Sequence, residues 1–348
     1  MTILDYIDEY GKYRFDKEPF NEVDNVILSS LSYLELKGIV PVSRLAKISL
    51  KDAATIYIKW LKDEKNKITA HKSALKILKK IYKTKRYKDL KLYNYKYIGD
   101  NNEQFCALTI DLDDKTSYIS FEGTDELISG WKEDFYLACY DEVPSEVSAL
   151  HYINGFTLIN KNLILGGHSK GGHLAVYAGM KANRFVKKKI IKIYSNDGPG
   201  FRKKAYQSAE YKDTISKVKL IIPNYSFFGL LLRHDDYSVI KSSIKGIYAH
   251  DFLSWQVDDN KFKKVKLSKE SILLSDAMAK WVESYEDKDR IMFVNSVFEI
   301  FDKLNINSVE ELIKHKSLIL KIIVDSHLPK KTEKMMREFI KILLSFVL

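Results

Sequence analysis

Residues 163–180 read LILGGHSKGGHLAVYAGM, and this stretch decides the fold. A short apolar run, typical of a buried strand, passes through glycines to Ser169 and then into a run of helical character. Gly167 and Gly171 stand two positions before and after the serine, where larger side chains would collide with the neighbouring strand and helix. The stretch therefore predicts a sharp strand-to-helix turn with Ser169 at its tip. A nucleophilic serine requires this position, although a tight turn with an idle serine has the same pattern.

The sequence on either side of this turn supplies the rest of an α/β architecture. Residues 20–36 and 49–61 have the apolar spacing of amphipathic helices, and residues 91–100, 103–112 and 116–124 are short, aromatic and β-branched. The polar turn DLDDKT at 111–116 predicts an antiparallel opening to the sheet. After Gly123 apolar strands alternate with helices, which favours parallel strands covered on both faces.

These patterns predict a mostly parallel, doubly wound α/β sheet preceded by helices. We expect one domain over residues 1–264, with N-terminal helices in 20–85, and a helical region over 265–348. That region includes helical runs at 271–285, 289–304 and 308–324 and an amphipathic final helix. In the final helix one face carries the apolar residues Met336, Phe339, Ile340, Leu343, Leu344 and Val347. This stripe suits packing on the core, which the pattern favours, and also contact with a membrane surface.

A serine nucleophile needs a base, and five histidines follow Ser169: His173, His234, His250, His315 and His327. His250 is favoured because it follows the last predicted strand, where this order of elements places the base. His234 precedes that strand and His173 lies along the helix after Ser169. His315 and His327 are expected on the surface of the C-terminal region.

The acid that would orient the base has two candidate positions. Asp197 closes a predicted strand and begins the turn DGPGF, which also suits an ordinary Asp-Gly turn. Asp235 and Asp236 lie nearer the usual acid position, one strand later. The strand end at that position reads PNYSFFG and carries no carboxylate, which favours Asp197.

Two further features complete the predicted site. The loop that follows residue 121 and the start of the helix after Ser169 offer the amide groups of Thr124 and Lys170 as an oxyanion hole. Asp134 would tie that loop down. The apolar segment YSFFGLLL, residues 225–232, suggests an acyl-binding pocket or lid that contains Phe227, Phe228 and Leu231, and it suits buried core equally well.

Composition bounds the function more loosely. The net charge of +11 comes from 57 Lys and Arg against 46 Asp and Glu, mainly dispersed lysine, and we expect a solvated surface without nucleic-acid binding. Cys106 and Cys139 are expected to be buried thiols. The aspartates of DLDDKT and HDDY lack the spacing of metal ligands, so neither a metal nor a cofactor is predicted. With neither a signal peptide nor an apolar run of roughly 18 residues, we expect a cytoplasmic protein.

Four segments carry a family resemblance. PFNEVDNVILSSLSYLE, GHSKGGHLAVYA, SNDGPGF and HDFLSWQV together resemble a bacterial lipase-like α/β-hydrolase family catalogued as domain of unknown function 2974, over roughly residues 18–260. The segment FEGTDELISGWKEDF is similar to the oxyanion loop of class-3-type lipases. The resemblance implies an α/β-hydrolase fold with Ser169, Asp197 and His250 as its triad and Thr124 near the oxyanion site. It implies no particular substrate.

The sequence thus predicts a serine hydrolase that cleaves a carboxylic ester, with a lipid-like substrate, through an acyl-enzyme. The rival hypothesis is a non-catalytic binding or interaction protein built on the same scaffold. Neither the oligomeric state nor the substrate follows from the sequence.

Overall fold

The computed structural model describes residues 1–62, 71–100, 103–124, 128–306, 311 and 329–347. Its centre is a sheet of eight strands that lie side by side in chain order. The strands are β1 Ile48–Ser49, β2 Lys91–Gly99, β3 Gln104–Asp111, β4 Thr116–Phe121, β5 Asn162–His168, β6 Ile190–Asn196, β7 Val218–Pro223 and β8 Tyr237–Ile240. Strands β1 to β4 are antiparallel, as expected for the opening of the sheet, and β4 to β8 are parallel.

Helices precede, interrupt and follow this sheet. They are α1 Ile3–Tyr10, α2 Glu22–Ser29, α3 Leu50–Trp60, α4 Lys72–Ile81, α5 Ile128–Tyr136, α6 Pro144–Asn154, α7 Lys170–Lys181, α8 Arg184–Lys189, α9 Lys203–Tyr206, α10 Ala209–Ile215, α11 Lys269–Glu283, α12 Asp287–Lys303 and α13 Lys330–Val347. Short 3₁₀ turns lie at Ser30–Tyr33, Phe228–Leu230, Gly246–His250 and Phe252–Ser254. A small hairpin, β9 Val257–Asp258 and β10 Lys261–Phe262, follows the main sheet.

Each face of the sheet has its own core. The crossover helices α6, α7 and α10 pack on one face around residues such as Ile119, Leu165 and Ile193. The N-terminal helices α1 to α4 cover the other face, where Tyr118 and Ile164 are buried. Burial on both faces explains why the parallel strands are continuous apolar runs.

The strand order corrects one expectation. A doubly wound sheet reverses its strand order, so that right-handed crossovers fall on both faces. Here the order never reverses, and α6, α7 and α10 consequently share one face. The sheet is α/β and mostly parallel, but helices from the N-terminus, rather than a second set of crossovers, cover its other side.

A buried ion pair holds the N-terminal helices together. Asp24 in α2 and Arg86 form this pair, and both side chains are fully buried. The hydroxyls of Tyr6 and Tyr87 also donate hydrogen bonds to Asp24. This cluster lies on the N-terminal face, so the pair serves the packing of that face.

The last three described helices form a third apolar cluster. Trp281 of α11, Phe293 of α12 and Phe339 of α13 pack against one another. The cluster also contains residues of α5 and the partly buried Phe227 and Leu231. These helices therefore lie over the segment that follows β7, while the domain boundary after residue 264 stays a prediction.

The outcome for the final helix is divided. Met336 and Phe339 are buried in the third cluster, as the core-packing interpretation predicts. Outside the described residues lie the side chains of Leu343, Leu344 and Val347, both His315 and His327, and the predicted helical run at 308–324 except residue 311. Among the described helices, none combines the length and apolarity needed to cross a membrane. Cys106 and Cys139 are buried free thiols, as predicted.

Candidate active site

The turn at Ser169 joins the carboxyl end of β5 to the first residue of α7. Its backbone has φ 56° and ψ −132°, a strained conformation for a residue other than glycine. A Cβ on Gly167 would lie 2.2 Å from the carbonyl carbon of Gly171, and one on Gly171 would lie 2.2 Å from the carbonyl oxygen of Phe121. Both glycines are thus required by the close approach of strand and helix, as the sequence pattern predicts.

The neighbouring strand β6 holds this strained turn in place through its last residue, Asn196. The Ser169 amide donates to the carbonyl oxygen of Asn196 at 2.9 Å, and the Asn196 side chain donates to the carbonyl of Gly167 at 2.9 Å. Helix α7 begins at Lys170, so its first amide groups, which have no partner within the helix, lie next to the serine. The helix dipole adds partial positive charge there.

Asp197 follows β6 directly and also has a left-handed backbone, with φ 53°. Its carboxylate is fully buried and accepts three hydrogen bonds. Ser226 Oγ donates to Oδ1 at 2.5 Å and the Gly229 amide donates to the same oxygen at 3.1 Å. The other oxygen, Oδ2, lies 2.6 Å from Nδ1 of His250. Because the carboxylate accepts, Nδ1 carries the proton and Nε2 of a neutral His250 is left as an acceptor.

His250 ends the 3₁₀ turn Gly246–His250, and its side chain is 21% exposed. Its ring contacts those of Phe228 and His168, with ring centroids 4.4 and 4.3 Å away. His168 directly precedes Ser169, so these contacts place His250 at the same edge of the sheet as the serine.

His168 holds the backbone of His250 in place. Nε2 of His168 lies 2.9 Å from the carbonyl oxygen of His250, and Nδ1 lies 2.9 Å from the hydroxyl of Tyr33. A carbonyl only accepts, so Nε2 of His168 is the donor and Tyr33 donates to Nδ1. Burial, together with the neighbouring His250, lowers the pKa of His168 well below its usual value. A neutral His168 therefore supports His250.

The other candidate bases and acids lie elsewhere. His173 bonds to Glu146 and to the carbonyl of Gly200, and it joins α7 to α6 and to the turn after Asp197. His234 packs against Gly200, and burial lowers the pKa of His234 to about 4. Asp235 accepts a hydrogen bond from Tyr206 at 2.9 Å, and Asp236 is exposed beside it. The structure therefore brings Asp197, rather than either alternative, to the ring of His250.

The predicted oxyanion residues flank the turn. A Cβ on Gly123 would lie 3.0 Å from Cβ of Ser169, so the backbone just before Thr124 packs against the turn at Ser169. Thr124 Oγ1 donates to Asp134 at 2.5 Å, which ties the loop to α5 as expected. Burial raises the pKa of Asp134 to about 6. Residues 125–127 of this loop lie outside the described residues.

Lys170 has a structural side chain in addition to its amide. Its buried ammonium donates to Glu133 at 2.9 Å and to the carbonyl of Gln104 at 3.0 Å. Burial alone would lower the pKa of Lys170, but Glu133 and then Asp134 outweigh it and raise that pKa. This ion pair fastens the amino end of α7 to α5.

The predicted substrate-binding residues separate into two groups. Phe228 contacts the ring of His250 and packs edge-on against Trp131, at 5.8 Å between centroids. Phe227 and Leu231 pack instead against the C-terminal helical cluster. Phe228 is thus the apolar residue of the three that touches the candidate base.

Sequence reasoning missed four residues that shape this site: Ser226, Gly229, His168 and Tyr33. Ser226 and Gly229 belong to PNYSFFG and to the overlapping apolar segment 225–232, and neither the missing carboxylate nor the apolar pattern indicates donors to Asp197. His168 occupies a variable position of the G-x-S-x-G pattern, and Tyr33 lies more than a hundred residues away in the chain. Among the described residues, no three His, Cys, Asp or Glu side chains are placed to share a metal ion.

Comparison with known proteins gives a family match. The model of the family described as Mbeg1-like matches residues 81–299, which is more than half of the chain. A structure described as "Crystal structure of M37 lipase" is 15% identical, covering 71% of this chain and 83% of that one with a TM-score of 0.35. The curated proteins give no match. The family match spans the turn at Ser169, Asp197 and His250.

Proposed function

The chain belongs to the Mbeg1-like family, and from this premise and its site geometry we propose that it is a serine hydrolase that cleaves carboxylic esters. The observation that carries the proposal is the hydrogen bond between His250 Nδ1 and the buried Asp197. It occurs at the strand edge where Ser169 occupies a strained turn. Neither a core histidine nor an ordinary Asp-Gly turn requires this combination.

The proposed reaction assigns one task to each group. His250 Nε2 takes the proton of Ser169 as the hydroxyl oxygen attacks the ester carbonyl, and it then returns that proton to the departing alcohol. Asp197 holds the Nδ1–H tautomer and stabilises the imidazolium that forms. The amides of Thr124 and Lys170 stabilise the oxyanion, helped by the amino end of α7. Water, activated by His250, then releases the acid from the acyl-enzyme.

The surroundings of His250 favour an apolar acyl group. Phe228 and Trp131 form an aromatic wall next to the base, and the C-terminal cluster lies behind Phe227 and Leu231. Apolar surface of this kind binds hydrocarbon in proportion to the area removed from water. We infer a lipid-like ester as the substrate class.

An activity-based probe tests the proposal directly. The full chain should react with a fluorophosphonate and hydrolyse a short-chain nitrophenyl ester, because both reactions use an activated serine. Ser169→Ala should abolish labelling and lower ester turnover by more than about 10⁴-fold. Ser284→Ala, an exposed serine after α11, is the matched control and should leave both unchanged.

The outcomes separate the two hypotheses. A folded wild-type chain that takes no probe, or a Ser169→Ala chain that is still labelled, would favour the rival, a non-catalytic interaction protein. Circular dichroism of both variants checks that loss of labelling does not come from unfolding.

A further inference from the structure

The edge of the sheet opposite the candidate active site carries an unusual exposed surface. It comprises three segments: residues 42–47, residues 154–161 before β5 and residues 183–189 before β6. Since Ser169 and Asp197 follow the carboxyl ends of β5 and β6, roughly 20 Å of strand separates them from the last two segments. This amino-edge surface is thus distinct from the site.

Contacts among the three segments make them one surface. The guanidinium of Arg44 donates to the carbonyl of Gly155 and lies over the ring of Phe156. The Asn183 side chain donates to Asn154 and to Thr157. Lys189 donates to the carbonyls of Phe156 and Thr157.

Large apolar side chains project from this surface into solvent. Leu158 is 95% exposed and Leu45 is 93% exposed. Val42 and Phe185, which belong to the same three segments, are also exposed. A single exposed leucine is ordinary, but four large apolar side chains on three adjoining segments form a patch that a partner would cover.

The same three segments also carry cations without acidic partners. They are Arg44, Arg184, Lys187, Lys188 and Lys189, and within the described part of the chain none forms an ion pair. The three segments contain no Asp or Glu. Lys47 and Lys161 are left out because both pair with Asp111, and the exposed Asp113 and Asp114 lie next to that pair.

We propose that the amino-edge surface docks on an anionic phospholipid bilayer. Cations attract acidic headgroups, and exposed leucine and phenylalanine insert at the boundary between headgroups and acyl chains. Nucleic acid would use the same cations but would gain nothing from nearly fully exposed leucines. The final helix is a poorer candidate, because its Met336 and Phe339 are already buried.

Vesicle co-sedimentation of the full chain tests this proposal. Vesicles of equimolar phosphatidylcholine and phosphatidylglycerol should bind the wild type, and vesicles of phosphatidylcholine alone should not. Added salt should weaken the binding, because it screens the cations. The double variants Leu45→Ser with Leu158→Ser, and Arg184→Gln with Lys188→Gln, should each weaken it about tenfold.

Matched controls come from other surfaces. Leu273→Ser, an exposed leucine of α11, and Lys17→Gln, an exposed lysine, should bind as the wild type does. Fluorophosphonate labelling should be unchanged in every variant, so this test is independent of the proposed hydrolase. Unchanged thermal unfolding verifies that each double variant is folded.

Three results would overturn the proposal. The first is equal binding to both kinds of vesicle, and the second is full binding by either double variant. The third is binding of a single-stranded RNA oligonucleotide by a chain that does not bind vesicles. The last would assign the same cations to nucleic acid.

Discussion

Two buried aspartates in this molecule have nearly the same environment and contrasting partners. Asp24 and Asp197 are both completely inaccessible to solvent, and both accept several hydrogen bonds. Asp24 receives the guanidinium of Arg86 and the hydroxyls of Tyr6 and Tyr87. Asp197 receives the Ser226 hydroxyl, the Gly229 amide and His250.

The difference lies in what the partner can do. Arg86 is buried and permanently charged, so it can hold Asp24 in place but has no proton to transfer. The ring of His250 is partly exposed, and an imidazole can accept a proton at one nitrogen while the other stays bound to a carboxylate. A buried carboxylate therefore points to chemistry only when its partner can transfer a proton and also reaches the place where a ligand would bind.

The largest expected effect comes from Asp197→Asn. The amide can no longer accept from Nδ1–H with the charge of a carboxylate, so His250 loses both its tautomer and the stabilisation of its imidazolium. We expect turnover of a nitrophenyl ester to fall by about 10⁴-fold while the chain stays folded. Steady-state kinetics and thermal unfolding measure the two properties together.

Asp236→Asn is the control for that change, because Asp236 is exposed and lies beside Asp235 rather than at His250. It should leave turnover within about twofold of the wild type. A reversal of the two effects would make Asp236 the acid and would remove the contrast between Asp24 and Asp197.

Asp24→Asn should do the opposite. It leaves Arg86 as a buried cation with a weakened partner, and breaking such a pair costs about 3–5 kcal/mol in the free energy of unfolding. Turnover per folded molecule should change little, since Asp24 lies in the N-terminal core. Denaturant unfolding and active-site titration with the fluorophosphonate separate the two quantities. A stable but inactive variant would show that this pair, too, serves the reaction.

Much of this architecture could be predicted from local pattern. Gly167 and Gly171 predict the turn at Ser169, because a steric requirement at fixed spacing leaves a local pattern in the sequence. The antiparallel opening around DLDDKT and the later alternation of strands and helices are local in the same way. The winding of the sheet could not be predicted in this way. The face on which each crossover lies depends on strand order, and no short segment encodes that order.

The hydrogen-bond donors to Asp197 could not be predicted from sequence pattern. In the sequence, the segment PNYSFFG is informative about the acid because it lacks a carboxylate at a strand end. In the structure this segment supplies the hydroxyl and amide that hold Asp197 in place. A serine and a glycine in a loop carry no signal of that role, since the role depends on a contact across two strands.

Ser226→Ala should have the smallest effect on turnover of the changes at the Asp197 network. Removing the hydroxyl deletes one of three donors to Asp197, while the Gly229 amide and His250 remain, so the carboxylate stays bound but less firmly oriented. We expect kcat to fall about tenfold with KM nearly constant, because the loss of about one charge-assisted hydrogen bond acts on the base and not on the substrate. Ser226→Thr, which keeps the hydroxyl, should restore most of that kcat if its methyl group fits.

Ser30→Ala, a buried serine whose hydroxyl donates to the carbonyl of Ile27, is the control and should lower stability without a change in kcat. Equal kcat values for Ser226→Ala and wild type would mean that the Asp197 network is structural, as the Asp24 network is.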